Sequence, residues 1–201
     1  DSITIHLRED RRHIRDYDLK NIKRKLKIPL NLEIAPTFEM LNIAIKNKPN
    51  FVCIVPEKRK EITTEGGLNL KKNINNLKKI IKLLNNKKIR TSLFINTNLR
   101  DIKKSRKLGV KCVELHTGKL CNLIKKKKSY KKELIKIKKC TKLAISIGLE
   151  VHAGHGLTYE SAKIISKVNG IKEFNIGHFI VGQSIFNGLK KTIINFKKIL
   201  K

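Results

Sequence analysis

The chain has 201 residues, 40% of them hydrophobic, which suffices for a single domain spanning residues 1–201 with a substantial core. Lys and Arg number 47 against 16 Asp and Glu, a formal net charge of +31. No apolar run approaches the roughly 18 residues needed to cross a bilayer, and no charged-then-apolar leader opens the sequence, so a cytoplasmic protein without a membrane partner is expected.

The charge alone does not indicate a nucleic-acid partner. Lysines recur in nearly every helical stretch beside Asn and Ile, as AT-rich coding produces. The arginines and aromatics that a nucleic-acid face interleaves are sparse, with aromatics at 5%. The run Lys125–Lys128 reads as a solvated loop or the start of a helix. Cys53, Cys112, Cys121 and Cys140 show no C-x-x-C spacing, and Cys53 and Cys112 read as small buried hydrophobes in strands.

In chain order, short β-rich runs alternate with stretches of helical period. Strands are predicted at Ser2–His6, Leu30–Ala35, Phe51–Pro56, Thr91–Asn96, Lys111–His116, Leu149–Ala153 and Glu173–Gly177. Their Ile, Val and Leu content suggests parallel strands covered on both faces. Helices are predicted at Asp16–Leu26, Thr37–Lys46, Leu70–Asn86, Leu99–Leu108, Tyr130–Ile147, Tyr159–Val168 and near Gln183–Leu200. The third carries Ile74, Leu77, Ile80, Ile81 and Leu84 on one side. Asp16 and Thr37 are candidate N-caps, and Gly109 and Gly148 stand where helices hand over to strands.

Strand-then-helix units of this kind build either an open doubly wound sheet or a closed barrel. No Gly-rich phosphate loop follows the first strand, as an open sheet would require, and polar residues follow many strands. The expected fold is therefore α/β, a (β/α)8 TIM barrel. Seven units are visible where eight are needed, and the only methionine is Met40. One βα unit is thus expected ahead of Asp1, and the 201-residue fragment alone is expected to be inactive.

All six histidines, His6, His13, His116, His152, His155 and His178, fall at or shortly after predicted strand ends. That placement suits repeated proton transfer near neutral pH. Glu33 and Glu114 interrupt apolar strands, where a carboxylate is either ion-paired or catalytic. Gly154-His155-Gly156 and Gly177-His178, with Val181 to Ser184, are candidate phosphate loops after the last two strands. The loop from Glu57 through Thr63 to Gly67 adds cations, hydroxyls and flexible backbone. Known metal spacings such as H-E-x-x-H are absent, and no metal is expected.

Several runs resemble the pyridoxine 5′-phosphate synthases of the deoxyxylulose-dependent vitamin B6 route. They are Thr4–Ile14 with H-L-R-E-D-R-R-H, Asn31–Glu33, Val55–Arg59 and Thr63–Leu68, then Glu114–Gly118, Ala153–Tyr159 with A-G-H-G-L-T-Y, and Asn175–His178. The resemblance implies condensation of 1-deoxy-D-xylulose 5-phosphate with 3-amino-2-oxopropyl phosphate. Pyridoxine 5′-phosphate, phosphate and water would be released, with no metal or organic cofactor. It implies His6 and Glu33 as proton acceptors and His155 as proton donor. Arg8, His13 and Thr63 would hold the deoxyxylulose phosphate, and Gly156, Gly177 and His178 the aminoketone phosphate. An octamer of barrels is likewise implied.

The sequence departs from the family pattern in three places. A first strand carrying Asn, Asp-His and Arg is not visible. His152 stands where some members have Asn, and Gln183 where some have Arg. Two alternatives stand beside the synthase: a decayed basic barrel that binds nucleic acid, and another phosphate-binding barrel enzyme such as an isomerase or aldolase.

Overall fold

The computed structural model describes residues 1–57, 66–71 and 74–201. Seven parallel strands form one sheet in sequence order: β1 (Ile3–His6), β2 (Leu30–Ile34), β3 (Phe51–Ile54), β4 (Arg90–Ile95), β5 (Cys112–His116), β6 (Glu150–Gly154) and β7 (Ile171–Asn175). Each crossover carries helix: α1 (Asp16–Lys25), α2 (Phe38–Asn47), α3 (Ile74–Asn86), α4 (Leu99–Leu108), α5 (Gly118–Lys125) with α6 (Lys131–Ser146), and α7 (Tyr159–Ile165). After β7 come α8 (His178–Asn187) and α9 (Leu189–Ile199). Neighbouring strands in strict sequence order, joined by helical crossovers, are the mark of an α/β barrel wall.

All seven predicted strands are present, but their apolar residues alternate rather than run on. Leu30, Leu32 and Ile34 of β2, Val52 and Ile54 of β3, Leu93 and Ile95 of β4, Val113 and Leu115 of β5, and Val151 and Ala153 of β6 join one core cluster with the helices. The residues between them turn to the barrel interior and are mostly polar: Asn31, Glu33, Cys53, Ser92, Cys112, Glu114, Glu150 and His152. The register keeps this parity around the sheet, pairing His6 with Glu33, Glu33 with Cys53, Cys53 with Ser92, and Glu114 with His152. Coverage on both faces is therefore replaced by an apolar outer face and a polar lumen.

The edge strands β1 and β7 are linked by a hydrogen bond from Thr4 Oγ1 to Asn175 Oδ1 at 2.8 Å. Asn31 Nδ2 donates to that same Thr4 oxygen at 3.2 Å. Asn175 Nδ2 in turn donates to Glu114 Oε2 at 2.9 Å, so one polar chain runs β2–β1–β7–β5 through the lumen.

Helix ends follow local chemistry. Thr37 caps α2 by accepting from the Met40 N–H, and Gly109 and Gly148 take positive φ of 86° and 76° as helices end. Asp16 is not the cap of α1. Arg15 holds that position, and Asp18 accepts its N–H at 2.9 Å. The predicted final helix divides at Gly188, whose φ of 74° breaks the run into α8 and α9. Helix α5 was not foreseen. Its end is Lys125, so the lysine cluster closes a helix and its turn rather than starting one. Among the described residues no helix is long and apolar enough to cross a membrane.

Candidate active site

The C-terminal strand ends open into a cavity of about 1970 Å³ that continues down the lumen. His6, Arg8, His13, Glu33, His155, Gly156, Gly177 and His178 all line it. These are eight of the nine residues implied by the resemblance. The ninth, Thr63, lies outside the described residues, as do Lys58, Arg59, Thr64 and Glu65. Gly67 holds the near end of that loop against β4. Its N–H donates to Asn96 Oδ1 at 3.0 Å, and a Cβ there would collide with the backbone of Ile95 and Asn96.

His6 ends β1, and its ring lies between two carboxylates. Nδ1 is 3.7 Å from Glu33 Oε2, and Nε2 is 3.5 Å from Glu57 Oε2. Burial, aided by the charges of Arg8 and His13, pushes the imidazole down to about 4, so it is neutral and able to accept a proton at physiological pH. Burial pushes Glu33 up to about 7, the range useful to a general base. Arg8 stands two residues beyond β1 with its side chain only 3% exposed, facing Asp10 and Glu57 at 3.6 Å each. A buried guanidinium on the wall of a cavity is a ready anion ligand.

Glu114 lies at the heart of the lumen. Its Oε2 accepts from Asn175 and lies 3.7 Å from the Cys53 thiol. Burial first, and then repulsion from Glu33 and Glu173, drives its carboxyl well above the ordinary range. The close approach requires Gly154 on the neighbouring strand, because a Cβ there would strike the Glu114 carboxyl. Sequence reading singled out Glu114 without a role. Asn31, Thr4 and Asn175 were missed as a network because each is an ordinary polar residue until the barrel brings them together.

His155 sits between β6 and α7 with φ of 74°, a left-handed conformation uncommon for a residue with a Cβ. This turn sets its ring 4.8 Å from that of His116, which stands edge-on to Phe94 at 5.3 Å. Burial, with the charge of His155, pushes His116 down to about 4. Gly118 passes beneath, where a Cβ would press on both rings. Gly156, with φ of 78°, follows, and Gly177 and His178 open α8, so backbone N–H groups meet the cavity at two adjoining loops.

One histidine is elsewhere. His152 lies within β6 and faces the base of the lumen, 2.7 Å from Glu150 and 3.5 Å from Glu173. The placement of all six at the mouth is therefore corrected to five, because β6 runs on to Gly154 and leaves His152 mid-strand, facing the lumen. Cys112, Glu150 and His152 form a group with metal-ligand spacing among the described residues. Arg90 already supplies positive charge there, 2.9 Å from Glu150 and 3.4 Å from Glu173.

Fold and site together define a barrel enzyme of the acid–base type, with neutral imidazoles, a raised carboxyl and glycine-bearing loops at the strand ends. The chain matches the family model described as pyridoxal phosphate biosynthesis protein PdxJ over residues 1–201, and it belongs to that family. It is 62% identical over 198 residues to the pyridoxine 5′-phosphate synthase of Pelagibacter ubique, covering 98% of this chain and 83% of that one. It is 47% identical over 200 residues to the synthase of Ehrlichia chaffeensis, covering 100% and 82%. Among solved structures, a 4-hydroxy-2-oxoglutarate aldolase aligns with TM-score 0.66 at 10% identity, over 100% of this chain and 81% of that one. The tryptophan synthase A-subunit of Pyrococcus furiosus aligns with TM-score 0.56 at 15% identity, over 92% and 70%. These two share the fold alone.

The family match does not favour the decayed nucleic-acid-binding barrel. The lysines agree: those exposed on α1, α3, α4, α6 and α9 are spread over separate helices.

Proposed function

We propose that the chain acts as a pyridoxine 5′-phosphate synthase, joining 1-deoxy-D-xylulose 5-phosphate to 3-amino-2-oxopropyl phosphate with loss of phosphate and water. The observation that carries this reading is the 62% identity to the Pelagibacter enzyme across nearly the whole chain. The site chemistry supports it. Two phosphorylated substrates need two anion sites, and imine formation, ring closure and dehydration need several groups that can pass protons.

In this reading His6 and Glu33 accept protons. Both are set for that task, one neutral and the other poised near 7. His155 donates a proton from its strained turn above Gly118. Arg8, with His13 and Thr63, holds the deoxyxylulose phosphate. Gly156, Gly177 and His178 receive the aminoketone phosphate at the loops before α7 and α8. The protein works as a single cytoplasmic domain assembled into a homo-oligomer, an octamer by family resemblance. A coupled assay supplying both substrates to the intact protein should yield pyridoxine 5′-phosphate and free phosphate in equal amounts. Folded protein that forms none would overturn the proposal.

A further inference from the structure

We infer that Glu57 is a positioning residue that fixes the tautomer of His6 and the pose of Arg8, so that His6 accepts protons through Nδ1. The inference rests on the reading of His6 as a proton acceptor. Glu57 stands three residues beyond β3, and its side chain is 4% exposed although it does not line the cavity. It stands behind the working face, not on it.

Its two oxygens divide their contacts. Oε1 accepts the Glu9 N–H at 2.9 Å and lies 3.6 Å from Arg8 Nε. Oε2 faces His6 Nε2 at 3.5 Å. That oxygen and that nitrogen are both buried, and neither has a hydrogen bond. Two buried polar atoms left facing each other just beyond bonding distance are strongly drawn to close it, because each otherwise forfeits its solvation. A shift of roughly 0.7 Å makes a normal N–H···O bond, and such bonds commonly tighten when substrate binds.

Once Nε2–H donates to Glu57, the lone pair of the neutral ring must sit on Nδ1. Nδ1 faces Glu33 at 3.7 Å, on the cavity side. The charged groups around the ring are Arg8, Asp10 and His13 from the β1–α1 loop, Glu33 from β2 and Glu57 from beyond β3. Arg8 and His13 oppose the imidazolium, as burial does. Asp10 favours it, and a Glu57 carboxylate that has closed on Nε2–H adds to that support as a proton arrives on Nδ1. Glu33 cannot serve both as the fixed brace and as the second proton acceptor, which leaves the brace to Glu57.

The test uses the intact enzyme. Glu57→Gln keeps an oxygen for the Glu9 N–H but removes the charge, and kcat is expected to fall about 10-fold or more, within the range for a positioned acid–base group. The pKa on the acid limb of the kcat/KM profile should move down, and Glu57→Asp should recover part of the loss. Unchanged kcat and an unmoved acid limb in folded Glu57→Gln would overturn the inference. Nitrogen-15 spectra of histidine-labelled wild-type protein, with His6 assigned through His6→Gln, supply a readout independent of how the variant folds. A neutral Nε2–H ring supports the inference, and an Nδ1–H ring overturns it. Should His6→Gln itself retain turnover, the reading of His6 fails. A dead His6→Gln beside an unaltered Glu57→Gln removes Glu57 alone.

Discussion

On the mouth side of Arg90, Glu33 and Glu114 are neighbours of one another in the heart of the lumen, and burial drives both carboxyls upward. At the base, Glu150 and Glu173 share the guanidinium of Arg90, which also lies 3.8 Å over the Phe51 ring. Burial raises Glu150 too, but the hydrogen bond with His152 and the charge of Arg90 more than offset it, and its carboxyl ends below the ordinary range. The same residue types thus hold charge at one end of the barrel and resist it at the other. What differs is burial and partner: burial raises Glu33, burial and neighbouring carboxyls raise Glu114, whereas the His152 hydrogen bond and the Arg90 cation lower the more exposed Glu150. A barrel that is braced at its base can keep poised groups at its mouth, where barrel chemistry is done.

The largest expected effect comes from removing a poised group. Glu33→Gln should lower turnover about 10²-fold or more, the scale of general acid–base catalysis, while far-ultraviolet circular dichroism stays unchanged. Near-normal turnover would remove Glu33 from the chemistry. The same variant should be more stable than the wild type at pH 8. A folded-state value of about 7 against an ordinary 4.5 means that wild-type stability falls as pH rises through this window. The gain in melting temperature should shrink toward pH 4.5, and a gain that grew instead would contradict the desolvated carboxyl.

Next is the backbone that allows the mouth its crowding. Gly154→Ala places a methyl group against the Glu114 carboxyl. Overpacking of this kind costs about 1–3 kcal/mol, and denaturant unfolding would register it. A variant as stable as the wild type would mean that Glu114 can move aside freely. At the base, Arg90→Met keeps an apolar stem near Phe51 but strips the cation from Glu150 and Glu173. The pairs are partly exposed, so the loss should be about 1–3 kcal/mol, below that of a fully buried pair. Turnover should hold within about twofold, since no proton transfer is assigned to the base. A large fall in kcat at normal stability would break the division between the two ends.

This division was only half legible in sequence. Strand and helix alternation gave the barrel, and the strand-end motifs led to His6, Glu33, Arg8 and His155, all of which line the cavity. The alternation Leu149-Glu150-Val151-His152-Ala153 already puts His152 on one face with Glu150, but a strand predicted to stop at Ala153 set His152 near its end, whereas β6 runs on to Gly154. Arg90, Glu150 and Glu173 are 60 and 83 residues apart in their pairings, and no local pattern announces such ion pairs. Helix α5 was missed because Gly118 opens it and its apolar stripe is only Leu120, Cys121 and Ile124. Short helices carry too few turns for a period to show.

The smallest effect tests the base from the opposite sign. Glu150 is held below the ordinary carboxylate range, so its ionised form favours the fold. That contribution is fully present above about 4.5, the ordinary value, and disappears as pH falls through the lower folded-state value. Glu150→Gln should therefore lower the melting temperature at pH 7 by a small margin, because the side chain is 39% exposed and solvent screens its pairs. The deficit should narrow as the solution is acidified below pH 4. Measured beside Glu33→Gln, the two variants should diverge in opposite directions with rising pH, one gaining on the wild type and the other losing. Parallel curves would mean that Arg90 does not distinguish the base from the mouth, and that burial alone governs both carboxyls.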